Sequence, residues 1–220
     1  MAVTHGSPTG HDFFSDVAIT PMTESAAGVA VIILAILGLA DIAPQALGAI
    51  AAIVIGAALL LQAATDVGAY GKAMATSGKG SLSAAEFGGG IAVAFLAGCT
   101  GVVLGVLALL GVAALPLVAV ALMVFGSVLL IGGGMTAAMS LPRIDAVTAE
   151  PEPQATAHPA SRTAAAASAL IGLAGIVLGI LALVHLQMTI LVLVGLLSIG
   201  AALLLGGVAT AAEEAAMLRR

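Results

Sequence analysis

Residues 172–210 read GLAGIVLGILALVHLQMTILVLVGLLSIGAALLLGGVAT. Almost every residue is apolar, and the run is too long for one membrane crossing. At about 1.5 Å per residue, roughly 20 residues traverse a bilayer core of about 30 Å. The stretch therefore predicts two helices with a tight return near His185 to Thr189.

The rest of the chain repeats this hairpin. Displaced by 74 residues, Leu96–Ala138 falls on Leu170–Ala212 without a gap, and 21 of 43 positions are identical. Composition alone gives accidental identity at roughly one position in ten. Gly98, Gly101, Gly105, Gly126, Gly132 and Gly133 land on Gly172, Gly175, Gly179, Gly200, Gly206 and Gly207. A displacement of 144 adds a first copy: IGAALLL occurs at Ile55–Leu61 and again at Ile199–Leu205, and Gly28 falls on Gly172. Each copy holds an even number of spans, so the copies are expected to be parallel, unlike the inverted repeats of many transporters. The expected fold is all-α: a polytopic membrane protein with six transmembrane helices arranged as three parallel helical-hairpin repeats.

Composition agrees with a lipid environment. Of 220 residues, 61% are hydrophobic and 8% charged, against about 25% charged in soluble domains. A net charge of -5 gives no basic footprint for nucleic acid. The single cysteine, Cys99, falls inside a predicted span and has no Cys or His at metal-ligand spacing.

Read in order, residues 1–24 form a polar tail without the basic and apolar regions of a signal peptide. His5, His11, Asp12 and Asp16 are its metal-capable residues, best read as a solvated tail because their spacing gives no second half-site. Hairpin one spans 25–64, with Asp41–Gln45 at its tip, where Pro44 restarts the helix and pushes Ala43 out of helical geometry. A Gly/Ser-rich linker covers 65–86, and Ser83 and Glu86 have capping-box spacing. Hairpin two spans 87–139. A linker carrying Pro142, Pro151, Pro153 and Pro159 covers 140–163. Hairpin three spans 164–212, and its last helix is expected to run on through a tail at 213–220.

Lys72, Lys79, Arg143, Arg162, Arg219 and Arg220 all fall on the linker and terminus side of the hairpins. The positive-inside rule then places both termini and both linkers in the cytoplasm. The expected location is a bacterial cytoplasmic (inner) membrane.

Intramembrane ionisable residues mark proton relays and ion paths, and the predicted spans contain none. Asp41 and His185 hold matching tip positions, with Gly111 between them in the series; exposed turns explain them. Thr100 and Ser198 can bond their own helix backbone. Stacked small-residue hairpins resemble the proteolipid rotor subunits of rotary ATPases. That family carries an essential mid-membrane carboxylate on the outer helix of a hairpin, and spans two, four and six here have none. The likeness is one of architecture, and no family is assigned.

The glycines are the informative feature. Gly98, Gly101 and Gly105, like Gly172, Gly175 and Gly179, share one helical face. Such faces admit close helix approach in lipid. Two partners fit: the other helix of the same hairpin, or another chain. Hairpin one has Gly28, Val31 and Ala35 there, so its contact is expected to be looser. The expected function is a non-catalytic structural or accessory subunit, or a self-assembling scaffold, in contact with the lipid bilayer and with other membrane subunits or copies of itself. It needs no cofactor and no metal. The alternative is a channel or transporter for a small neutral or apolar solute or lipid, which a groove lined by Thr100, Ser127 and Ser198 would support.

Overall fold

Two tight returns, at 40–43 and 110–113, are built by backbone geometry. Asp41 and Gly111 have φ of 63° and 82°, the left-handed conformation that ends helices. The Ile42 amide donates to the Leu37 carbonyl and the Asp41 amide to Gly38. The Val112 amide donates to Leu107, and that of Gly111 to Ala108. These paired bonds satisfy carbonyls that the helix end leaves open. Ala43 and Ala113, two residues further on, and Gln187, just before the last helix, also take positive φ, at 46°, 45° and 47°. The following helix then starts at once. Pro44 follows Ala43, but Ala113 and Gln187 make the same bend without a proline, so the turn geometry sets it and the ring does not.

The computed structural model describes residues 22–76, 83–139, 159–184 and 187–217. The described residues form six helices: α1 (Met22–Leu39), α2 (Pro44–Thr76), α3 (Ser83–Leu109), α4 (Ala114–Met139), α5 (Pro159–Leu183) and α6 (Met188–Met217). The described residues form no strand. Five helices, α2 to α6, are long and apolar enough to cross a membrane, and α1 offers the shorter apolar run Glu24–Leu39. The chain is thus an all-helical, multi-pass integral membrane protein.

The helices reach beyond the expected hairpin bounds, with α1 starting at Met22 and α3 at Ser83, ahead of 25 and 87. Helix α2 continues through Thr76, into the stretch read as a linker over 65–86. Residues 68–76, GAYGKAMAT, carry three alanines, a methionine and a lysine, and these helix formers outweigh the two glycines. Helix α5 starts at Pro159, ahead of 164, with a proline suited to a first helical position. Helix α6 runs on through Glu213 and Glu214 to Met217. Lys79, Arg143, His185, Arg219, Arg220 and the His-containing tail lie outside the described residues.

The helices close into a ring. Helix α1 packs on α2 and α6, α3 on α2 and α4, and α5 on α4 and α6. Helices α2, α4 and α6 also touch one another, whereas α1, α3 and α5 do not meet among the described residues. So α2, α4 and α6 form the centre, and the other three lie outside in the grooves between them. The core is Ile55, Val118, Leu122, Phe125, Leu193, Leu196 and Ile199, each at most 2% exposed, with small residues such as Ala49, Ala52 and Ala119 between them. The outward surface of the spans is also apolar: Leu96 and Leu170 are more than 60% exposed, and Val103, Val177 and Leu205 about half exposed. Hydrophobicity therefore cannot drive these helices together. Close van der Waals packing must do so.

Candidate functional site

The glycine faces form the contacts between neighbouring hairpins. A Cβ built on Gly98 of α3 would lie 2.8 Å from the carbonyl oxygen of Gly56 on α2. One on Gly172 of α5 would lie 2.5 Å from the carbonyl oxygen of Gly126 on α4, and one on Gly28 of α1 2.7 Å from that of Gly200 on α6. At each crossing a glycine rests on the backbone of another glycine, which no side chain would permit. Gly105 and Gly179 continue the faces: their Cβ positions lie 2.9 Å from the Ala49 carbonyl oxygen and 3.0 Å from that of Ala119.

Gly101 and Gly175 look inward. The Phe125 ring on α4 occupies the space where a Gly101 Cβ would stand. Gly175 has more room, with Ile199 Cδ1 at 3.7 Å and the Gly126 Cα at 3.6 Å from its Cβ position. The sequence suggested the same hairpin or another chain as partner. In the structure a neighbouring hairpin of the same chain takes most of each face, and the hairpin's own second helix meets Gly101 and Gly175. The looser contact expected for hairpin one is not found at Gly28, whose Cβ position is 2.6 Å from the Leu204 amide nitrogen. Val31 sits one turn on, with Cγ1 3.0 Å from the Cβ position of Gly200, so the valine falls beside the crossing and does not prop it open.

Sequence reasoning singled out one glycine of each crossing and missed Gly56 and the role of Gly126 and Gly200 as seats. The signal was available: Gly56 and Gly200 hold the same place in the two IGAALLL segments.

The polar groups are few. The Thr100 hydroxyl donates to the Leu96 carbonyl (2.7 Å), Ser127 to Met123 (2.8 Å) and Ser198 to Val194 (2.9 Å). Each of the three donates its hydroxyl hydrogen to a carbonyl of its own helix. Among the described residues no polar or charged side chain is buried, and no group of three His, Cys, Asp or Glu could hold a metal. Asp66, expected in the linker over 65–86, falls near the end of the apolar run of α2, Pro44–Val67. It is exposed and close enough to Glu24 of α1 for their charges to interact. Glu24 packs on α6, its Oε1 3.2 Å from the Cβ position of Gly206.

At the opposite end the helix turns surround a depression of about 680 Å³, lined by Ala43, Pro44, Gly111, Ala114, Pro116 and Met188 among others. It does not lead into a polar path. The central helices converge at Gly48, whose Cβ position is 3.9 Å from both Val118 of α4 and Leu196 of α6, and Leu122, Phe125 and Ile199 are fully buried. This geometry offers a packed apolar unit with no reactive constellation among the described residues. Comparison with protein-family models, with curated protein sequences and with solved structures gives no match to this chain.

Proposed function

We propose that this chain is a non-catalytic structural or accessory subunit, or scaffold, of a membrane complex, built as three parallel hairpin repeats about a pseudo-threefold axis. The observation that carries this reading is the interior: the described core holds no polar side chain, and its centre is filled with aliphatic and aromatic groups. Such a core stabilises a shape and provides no path for a hydrated solute. The matched crossings Gly28–Gly200, Gly98–Gly56 and Gly172–Gly126 support the repeat, because each joins positions that correspond in the internal alignment.

Helix α1 would be a sixth crossing. Its 16 apolar-run residues reach about 24 Å, short of the usual core, and tilt or local thinning can make up the difference. The basic residues then set both termini in the cytoplasm of a bacterial cell, with the turns on the far side of the cytoplasmic membrane.

Gentle detergent extraction followed by native mass measurement tests the function. A stoichiometric protein partner, or a defined oligomer, is expected. A bare monomer that moves a neutral solute or lipid across reconstituted vesicles would replace this reading with that of a transporter.

A further inference from the structure

Leu193 of α6 marks the place where the three inter-hairpin seams differ. Its side chain is 2% exposed. A Cβ on Gly38 of α1 would lie 2.8 Å from its Cδ2 and 3.1 Å from its Cδ1, and a Cβ on Gly48 of α2 would lie 3.9 Å from the same Cδ2. Leu193 is a knob in a hole made by two glycines of hairpin one. The other seams have the opposite sizes. Ala49 and Ala119 hold the position of the knob, Ala108 and Ala182 that of Gly38, and Val118 and Val192 that of Gly48. The glycine-on-glycine crossings, by contrast, are common to all three seams and made by backbone, so they cannot tell one hairpin from another.

We infer that Leu193, Gly38 and Gly48 form a specificity lock that makes hairpin three accept hairpin one and reject hairpins two and three of a second copy. The need for it follows from topology. Every hairpin carries an outer glycine face and an inner seat, so the interface is heterologous, and such interfaces close into a ring or propagate from chain to chain. The α2–α3 and α4–α5 seams join consecutive helices, but α1 and α6 are the two ends of the order. A second copy competes for that seam alone. Were α3 or α5 of another chain to enter it, Ala108 or Ala182 would bring a Cβ into the Leu193 methyls, and Val118 or Val192 would fill the other half of the hole. Overpacking of this kind works as discrimination against the wrong partner. The lock rests on the threefold arrangement proposed above.

The test uses two full-length copies expressed together in a Cys99→Ala background, one carrying Ser168→Cys and the other Gly206→Cys, with a short bifunctional thiol crosslinker. Residue 168 corresponds to residue 24, which meets residue 206 across the α1–α6 seam. A crosslinked pair of chains therefore reports α5 of one copy seated in that seam of the other. The parent should give almost none. The pair Gly38→Ala/Leu193→Ala restores the Ala–Ala combination of the other two seams; it should stay folded and give severalfold more crosslinked pair. Gly38→Ala alone should lose folded monomer, because the knob remains and the hole is shallower. Crosslinking of the double variant at the parent level, failure of the double variant to fold, or a Gly38→Ala protein as stable as the parent would each overturn the lock. The threefold arrangement is tested apart from it, by leucine at Gly28, Gly98 and Gly172, so the lock can fail while the ring stands.

Discussion

Glycines that look alike in the sequence differ in what surrounds them, and their substitutions should differ accordingly. Gly175→Ala places a methyl at ordinary contact distance from Ile199 and Gly126. Its better helix propensity, about 1 kcal/mol, should leave the protein as stable or slightly more so. Gly101→Ala, the matching change, drives the methyl into the Phe125 ring and should cost about 1–3 kcal/mol. Phe125→Ile, which copies the residue at 199, should recover much of that loss, and thermal melts of the two single variants and the pair check it. The recovery identifies Phe125 as the counterpart of a missing side chain. In hairpin one the matching positions are Val31 and Ile55, a bulkier pair than Gly175 and Ile199. The turns offer the reverse case. Ala113 adopts φ 45°, a conformation that disfavours a Cβ by about 1 kcal/mol. Ala113→Gly should therefore raise the melting temperature, although glycine is ordinarily a destabilising choice.

At the scale of the helix, periodicity specifies which side of a span is small but not which neighbour it meets. Gly172, Gly175 and Gly179 share one face by their spacing alone, and the all-helical, membrane-spanning character was legible from length and hydropathy. The partner was not legible, because in lipid every helix offers an apolar surface and hydrophobicity ranks none of them. The central position of α2, α4 and α6 was hidden for the same reason: their alternatives α1, α3 and α5 have the same alphabet. The extent of α2 was missed because Gly68, Gly71 and Lys72 read as a linker, whereas the alanines and Met74 among them keep the helix going. The packing assignment has a direct test on α5. Gly175 is buried and Ala174 is exposed on the same helix, rotated by about 100° from each other. Gly175→Leu should lower the melting temperature and Ala174→Leu should not, since lipid solvates either leucine equally. Native mass separates the remaining possibility: a Gly175→Leu protein that melts normally but loses mass would place that face between chains.

At the scale of the molecule, the ring makes α1 an equal member although it is the shortest helix. An apolar helix lying against a finished five-helix bundle would tolerate disruption of its contacts, whereas a helix that closes a ring would not. The three crossings allow that distinction to be measured. Gly28→Leu, Gly98→Leu and Gly172→Leu each place a leucine against a backbone where even a Cβ would come within 2.8 Å of a carbonyl oxygen. Neither that oxygen nor its helix can withdraw without parting the pair. If the seams are equivalent, the three variants should lose thermal stability to a similar degree, and none should be rescued by enlarging the detergent micelle. A Gly28→Leu protein that melts like the parent would make α1 peripheral and remove both the sixth crossing and the threefold axis. Topology gives an independent reading of the same point. With six crossings, thiol labels at Asp41→Cys and Gly78→Cys in a Cys99→Ala background react from opposite sides of the membrane, Asp41→Cys from outside. With α1 lying on the surface, residue 22 and residue 41 would share a side and Met22→Cys would label together with Asp41→Cys in intact cells. Agreement between the melting series and the labelling pattern would tie the glycine crossings to the orientation of the whole chain, because an α1 that does not span cannot keep Gly28 level with Gly200 along α6.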